Sequence, residues 1–509
     1  MMEDWVECEV GEIFKIVSGS TPKGLKEVCN KGEIPFYKVS DMNHVGNEVH
    51  MKKSNIMLTT EEFKKLRLKS YPKGTIIFPK RGGAILTNKK RVLIEDSAFD
   101  LNLMGVLPLV YVDNSYCFFW FQKLDLSSIY DGSNVPQINN KNILPLKFSL
   151  PPLPIQRAIV SKIEILFSSL DSGIADLKKA QAQLKIYRQA VLKKAFEGEL
   201  TKEWREQQTD LPSAEELMEH IKAIKQEYYE KQIEEWESKV KKWEENGKEG
   251  KKPKKPRPLT VPDLPNEIHN HRKWKLPNNW LWTQIGLICF VTKLAGFEYT
   301  DYVNYDDEGD LPVLKAENAG PLGFKKTEFS KVKSESVKML KRSQIFGGEL
   351  LIVFVGAGTG RVAMVPYNQK YFLGPNIGMA RPYFKLNSKY LELFLQSGIG
   401  KNLLMSAVKA VAQPSLSMGT IRQAPVAFPS LEEQNQVAKK VEFRLSVCDK
   451  VEKDIKDSLV KAKALRQSIL KKAFEGKLLT AAEVEKCKQE ADYEPASVLL
   501  ERIKKEKDN

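Results

Sequence analysis

The sequence predicts an α+β chain with an internal two-fold repeat, in which two globular α/β domains alternate with two long helices that pair as a coiled coil. Three observations predict it. Arg188–Leu200 (RQAVLKKAFEGEL) returns as Arg466–Leu478 (RQSILKKAFEGKL) with ten of thirteen positions identical, and the ungapped offset of 278 from Leu150 to Leu200 keeps twenty of fifty-one. Such self-similarity dictates architecture before any local reading does. Apolar residues then recur at alternating steps of three and four through each repeated segment, and short apolar runs broken by Gly, Pro and Asn precede each one.

Residues 1–150 form the first globular domain. Ile34–Val39, Thr75–Phe78 and Val106–Val112 read as strands, with helical patches at Thr60–Leu68 and Tyr116–Leu124. Pro151-Pro-Leu-Pro154 stops this domain and opens a helical region over 151–202, since proline suits a first helical turn. A charged helix and a basic Pro/Lys linker occupy 203–277. The second globular domain spans 278–428, the second helical region 429–480, and a helical tail 481–509. Ala214-Glu-Glu-Leu is weakly echoed by Ala496-Ser-Val-Leu, so each long helix carries a distal appendage. The second domain keeps the grammar of the first: Gly74-Thr-Ile-Ile-Phe78 corresponds to Gly348-Glu-Leu-Leu-Ile352.

In the first helix the seam runs through Ile163, Leu166, Leu170, Gly173, Leu177, Ala180, Leu184, Tyr187 and Val191, with Phe196 near the end. From Gln156 to Glu197 it would be about 63 Å long, and Gly198 supplies the stop. The second copy offers Val441, Cys448, Val451, Ile455, Ala462, Leu465, Ile469 and Phe474, with Leu445 compensating for Arg444. Two such stripes in one chain bury most simply against each other.

Composition limits the function. No run of eighteen apolar residues exists, and Met1-Met-Glu-Asp-Trp5 lacks a signal pattern, so a soluble protein without membrane partner is expected. The six cysteines are scattered without a CxxC pair and read as free thiols. A net charge of +15 points toward a polyanion. Lys248–Pro258 (KEGKKPKKPRP) accounts for part of it as a solvated linker.

Motifs for chemistry are incomplete. Phe354-Val-Gly-Ala-Gly-Thr-Gly360 leads into a strand-like segment, whereas a cofactor loop opens a helix, so a close-approach loop is expected. His269-Asn-His271 lies in a polar linker and makes no metal site. No catalytic residue, metal or bound cofactor is predicted. The remaining candidates suit duplex contact, because Arg, Asn and Gln can bond base edges twice and glycine turns admit phosphate. They are Arg81, Asn88, Lys89, Lys90, Arg91, Asn134 and Gln137 in the first domain, and Lys315, Asn318, Thr359, Arg361 and Gln413 in the second.

Taken together, Pro151-Pro-Leu-Pro-Ile-Gln156 and Pro429-Ser-Leu-Glu-Glu-Gln434, the endings Leu192–Leu200 and Leu470–Leu478, and the runs Gly74–Ala84 and Gly348–Arg361 resemble the specificity subunits of type I DNA restriction–modification systems over nearly the whole chain. The first opening has Ile155 where that family usually has Glu, so its helix start is expected to differ. The resemblance implies two target-recognition domains, each reading one half of a split double-stranded DNA target, and helices paired antiparallel as a spacer. It also implies docking of two modification (methyltransferase) subunits and of restriction subunits in a bacterial or archaeal cytoplasm. S-adenosylmethionine, ATP and Mg would then belong to the partners, and this chain would not be catalytic. The alternative class is a coiled-coil adaptor without sequence-specific DNA recognition.

Overall fold

The structure, a computed structural model, describes residues 4–28, 30–132, 134–256, 275–406 and 415–508. The chain divides into two compact units, Met1–Lys179 with Ile455–Asn509, and Ala180–Asp454. The division falls inside both long helices, Leu153–Phe196 and Leu431–Phe474. Each unit therefore holds one globular domain, the start of one long helix and the end of the other.

In the first unit a five-stranded sheet runs in the order Phe14–Ser18, Leu103–Pro108, Ile76–Pro79, Arg91–Leu93, His50–Met51, beside a three-stranded sheet centred on Ile34–Tyr37. Ile76 to Phe78 are wholly buried, as the continuous apolar run requires. The run Val106–Val112 ends as a strand at Pro108, which has no N–H for the ladder, and the chain turns at Tyr111 with φ 69°. In the second unit a four-stranded sheet, Cys289–Lys293, Ile377–Pro382, Leu350–Val353, Val362–Met364, lies beside one centred on Leu311–Leu314 and Tyr371–Leu373. Each domain is closed by a two-stranded ribbon of its own ends, Val6–Glu9 with Lys147–Leu150 and Leu281–Gln284 with Pro425–Phe428. That closure delivers the chain to the start of a long helix.

The mount is built alike in both units. Gln156 and Gln434 are buried at the first turns of the long helices. Their Nε2 groups donate to Pro151 O (2.8 Å) and Pro429 O (2.9 Å). Their Oε1 atoms accept from the backbone N–H of Asp113 (2.8 Å) and Asn387 (3.0 Å), the caps of the helices Asn114–Lys123 and Ser388–Gln396. The same two helices receive the far ends of the long helices. Phe474 packs on Tyr116 with ring centroids 5.1 Å apart, and Phe196 on Tyr390 at 5.4 Å. Gly198 (φ 77°) and Gly476 (φ 71°) take the left-handed conformation that stops each long helix.

The unusual Ile155 has a physical partner change. In the second unit its counterpart Glu433 is buried, accepts from Thr201 Oγ1 (2.8 Å) and pairs with Arg205 (2.5 Å). In the first unit Ile155 is buried in the apolar core, and Leu479, the counterpart of Thr201, packs against that core. A polar lock in one copy is replaced by burial in a shared apolar cluster in the other.

Within each unit the long helices run antiparallel. Arg466 bridges to Asp171 in the first unit, and Arg188 to Asp449 (2.6 Å) and Glu452 (3.2 Å) in the second. Both arginines and both aspartates are 278 positions apart, so the two units use one register. The expected seam holds at Ile163, Val441, Ile455 and Ile469, which are buried, and at Leu166, Leu170, Leu177 and Leu184, which are half-buried. It fails at Gly173, Tyr187, Val451 and Leu465, all exposed. The following residue takes each place: Ile174, Arg188, Glu452 and Arg466 are half-buried. The heptad pattern advances by 3.5 residues per turn and an α-helix by 3.6, and an extra step of four absorbs the difference. Arg466 lies 4.3 Å from the centroid of the Phe167 ring, so cation–π contact replaces the expected aliphatic one.

The appendages also repeat. Leu217 and Ile221 of Ala214–Glu245 are buried in the second unit, where Lys225 Nζ donates to Gly286 O (3.1 Å). Leu499 and Ile503 of Ala496–Asp508 are buried in the first, where Lys507 Nζ donates to Gly11 O.

Truncating each phenylalanine plug should affect its own unit alone. Phe474→Ala should cost about 3–5 kcal/mol and, by hydrogen exchange with mass spectrometry, loosen Asn114–Lys123 while Ser388–Gln396 stays protected. Phe196→Ala should do the reverse. Equal loosening of both helices by either change would contradict separate mounts.

Candidate nucleic-acid interface

Each domain has a corner where a glycine turn meets a returning segment. In the first unit the strand Ile76–Pro79 runs into Arg81 and the 3-10 turn Gly82–Thr87. The segment before the long helix comes back alongside: Arg81 pairs with Gln137 as a β-bridge, Gly82 N–H donates to Pro136 O (2.8 Å), and Ile138 N–H donates to Lys80 O (2.9 Å). Arg81 and Asn134 are exposed and Gln137 is half-buried, its Nε2 donating to Asn139 Oδ1 (2.9 Å). Gly82 has φ 70°, and no atom would meet a Cβ there within 4 Å. The turn thus offers bare backbone beside Arg81 and Gln137. Lys80 closes the corner with Nζ 3.1 Å from Ser18 Oγ. Burial, and then the neighbouring Arg81 charge, lowers its pKa.

The basic run that follows points elsewhere. Lys90 is 0% exposed, with Nζ donating to Asn88 Oδ1 (2.7 Å) and Leu124 O (2.5 Å). Burial pushes its pKa down to about 7. Asn88 holds a left-handed conformation (φ 54°), and its Oδ1 also accepts from Leu126 N–H (2.9 Å). Arg91 turns its guanidinium to the carbonyls of Lys90 (2.8 Å) and Met42 (3.4 Å), and Lys89 Nζ donates to Asn43. Lys90, expected at the phosphate contact, cannot make it because solvent does not reach it. Asn88, Lys89 and Arg91 are committed to the domain's own loops.

In the second unit Gly356–Gly360 joins the antiparallel strands Leu350–Val353 and Val362–Met364 as a hairpin loop, with no helix after it. Arg361 is exposed at its end. Thr359 Oγ1 donates to Gly356 O (2.7 Å) and shapes the loop. A returning segment again pairs with it: Val355 bridges to Ser415, and Leu416 N–H donates to Phe354 O (2.8 Å). Gln413 lies outside the described residues. Asn318 is corrected, being buried with Oδ1 accepting from Lys315 N–H (2.8 Å) and Nδ2 donating to Lys325 O and Thr327 Oγ1. Lys315 is half-buried, with Nζ on Ser330 Oγ (2.6 Å) and 4.6 Å above the Tyr305 ring.

The structure brings Arg81 and Gln137 together at one corner, leaves Asn134 exposed in the adjoining turn closed by the Asp131–Gln137 bridge, and places Arg361 and Thr359 at the other. Lys293, not singled out from the sequence, belongs to the second corner, its Nζ 5.0 Å above the Phe354 ring. It ends the strand Cys289–Lys293 as Ser18 ends Phe14–Ser18. Only sheet pairing reveals that placement, which no local motif marks.

Lys90 gives a pH signature with a definite sign. The unfolded lysine titrates near about 10.4 and the folded one about 7, so between these values the unfolded chain holds more protons. Native stability should therefore rise with pH across that window and be lowest below it. In Lys90→Met the rise between pH 7 and 9, read from urea midpoints, should vanish while DNA affinity is kept. An unchanged rise, or lost binding with an intact fold, would contradict the burial.

Known proteins share the repeat and the fold. The chain is 26% identical over 374 residues to the EcoBI type I restriction enzyme specificity subunit of Escherichia coli, covering 73% of this chain and 67% of that one. It is 22% identical over 517 residues to the EcoDI specificity subunit of Escherichia coli, covering 99% and 95%. A solved chain from a study of complex assembly and conformational transition in a type I R-M system superposes with a TM-score of 0.62 at 15% identity, covering 94% and 99%. Among the described residues no helix is long and apolar enough to cross a membrane. The pattern of the type I restriction modification DNA specificity domain matches residues 2–181 and again 282–460, and the chain belongs to that family.

Proposed function

We propose that this chain is the non-catalytic, sequence-reading subunit of a type I restriction–modification complex. Each globular domain reads one half of a bipartite duplex target through its glycine-turn corner. One observation carries this reading: the corner geometry repeats and its side chains do not. A β-bridge ties the turn to the returning segment in both units, through Arg81 and Gln137 in one and Val355 and Ser415 in the other. Two different half-sites require such a pairing of common frame and changed contacts.

The helices are the matching surface for two copies of one partner, the modification subunit. Exposed apolar residues recur at the repeat offset, Ile165 with Phe443 and Tyr187 with Leu465. A cleft of about 380 Å³ in the first unit is lined by Phe119, Gln122, Phe167, Asp171, Arg466 and Leu470. One of about 340 Å³ in the second is lined by their counterparts Leu393, Gln396, Leu445, Asp449, Arg188 and Leu192. S-adenosylmethionine, ATP and Mg are then the concern of the modification and restriction subunits, and the complex works in the cytoplasm.

Replacing residues 1–150 with those of a relative should change one half of the methylated motif, mapped genome-wide, and leave the other half intact. Within that half, Arg81→Ala should relax discrimination by about 1–3 kcal/mol at one position. Change in both halves, or uniform weakening at all sequences, would contradict independent corners.

A further inference from the structure

The segment between the two repeats contains a second charged feature, unrelated to the corners. Helix Ala214–Glu245 has no buried residue after Lys225, and Tyr228 still packs on Tyr383 with ring centroids 4.7 Å apart. At its end Gly247 (φ 72°) and Lys248 (φ 64°) reverse the chain, with Lys248 N–H donating to Trp243 O (2.9 Å). The Pro/Lys tract then lies back along the helix. Trp236 Nε1 donates to Pro253 O (2.9 Å) and Trp243 Nε1 to Gly250 O (3.2 Å). Lys255 sits 5.4 Å from the Trp236 ring and Lys252 5.9 Å from the Trp243 ring.

The spacing explains why both contacts form together. Trp236 and Trp243 are two turns apart on one face, about 10.5 Å along the axis. Three residues of chain, from Gly250 to Pro253, can span at most about 10–11 Å. A period of seven on the helix therefore matches a period of three on the tract. Lys252 and Lys255 lie beside the rings, and all four of Lys251, Lys252, Lys254 and Lys255 remain exposed. Between Lys239 and Pro256 eight lysines stand against three glutamates.

We propose that this hairpin is a preformed lysine ladder that binds the phosphate backbone of duplex DNA without reading its sequence. A stiff row of ammonium groups suits a polyanion of dense, regular charge, where each contact releases counterions. Both indoles are already engaged by the tract, and among the described residues the hairpin exposes no large apolar side chain, so it has nothing to insert into a lipid surface. The inference rests on the reading of the chain as a DNA reader only for the identity of the polyanion.

The test uses the full-length chain and a fluorescent duplex lacking any target, titrated across salt. Lys251→Gln, Lys252→Gln, Lys254→Gln and Lys255→Gln together should reduce the slope of log K against log salt by about 2 to 3.6, at about 0.9 per phosphate contact. Trp236→Phe with Trp243→Phe removes the indole donors and keeps the lysines. It should lower affinity about three- to tenfold at an unchanged slope, because the tract must now be ordered on binding. An unchanged slope in the lysine variant, or full affinity in the tryptophan variant, would overturn the proposal. So would lysine-dependent binding to anionic phosphatidylserine vesicles with the duplex slope unaltered. The ratio of target to non-target affinity should survive both variants. A parent chain without that ratio refutes the reading of the corners and leaves the ladder to be judged by its slope.

Discussion

The first turn of one short helix in each domain holds the molecule's organisation. At Asp113 its backbone N–H is taken by the glutamine that begins one long helix, and at Tyr116 its ring is covered by the phenylalanine that ends the other. Asn387 and Tyr390 repeat this in the second unit. Buried polar groups must find partners, and a buried glutamine with both ends satisfied fixes a helix start to within a hydrogen bond. The aromatic plug adds apolar burial at the same place. Each domain thereby fixes the start of one long helix and the end of the other.

Salt bridges along the paired helices have a different role. Asp171 and Asp449 are exposed carboxylates, and such pairs contribute at most about 1 kcal/mol each. Their value lies in register, since a slip of one residue separates both bridges. Arg188, with its side chain only 12% exposed, reaches two carboxylates and is the more buried of the two arginines. The Glu433 lock and the Ile155 contact make the complementary point: the geometry of the joint tolerates a change from polar to apolar when the facing residue changes with it.

Legibility in the sequence followed the range of the interactions. The repeat, the two glycine stops and the glycine turns were readable because each depends on a few consecutive residues. The helix seam is legible at Ile163 and Ile469, which meet the domain core, and at Ile455, and it is misplaced by one residue at Tyr187 and Leu465, which face outward. Apolar residues there mark a face left open rather than a face closed. The Lys89–Arg91 run was misleading for another reason. Charge alone does not say which side of a chain segment faces solvent, and Lys90 enters the core to satisfy two oxygens. Asn318 was similarly an internal cap. The pairing of Arg81 with Gln137 joins segments 56 positions apart and had no local signal.

The duplicated mount makes a claim about number: equal surfaces should take equal partners. Native mass spectrometry of the chain assembled with excess modification subunit tests it most directly. Two copies per chain are expected, one copy when either Ile165→Glu or Phe443→Glu is introduced, and none with both. A single copy on the unaltered chain, or loss of both copies after one substitution, would contradict it.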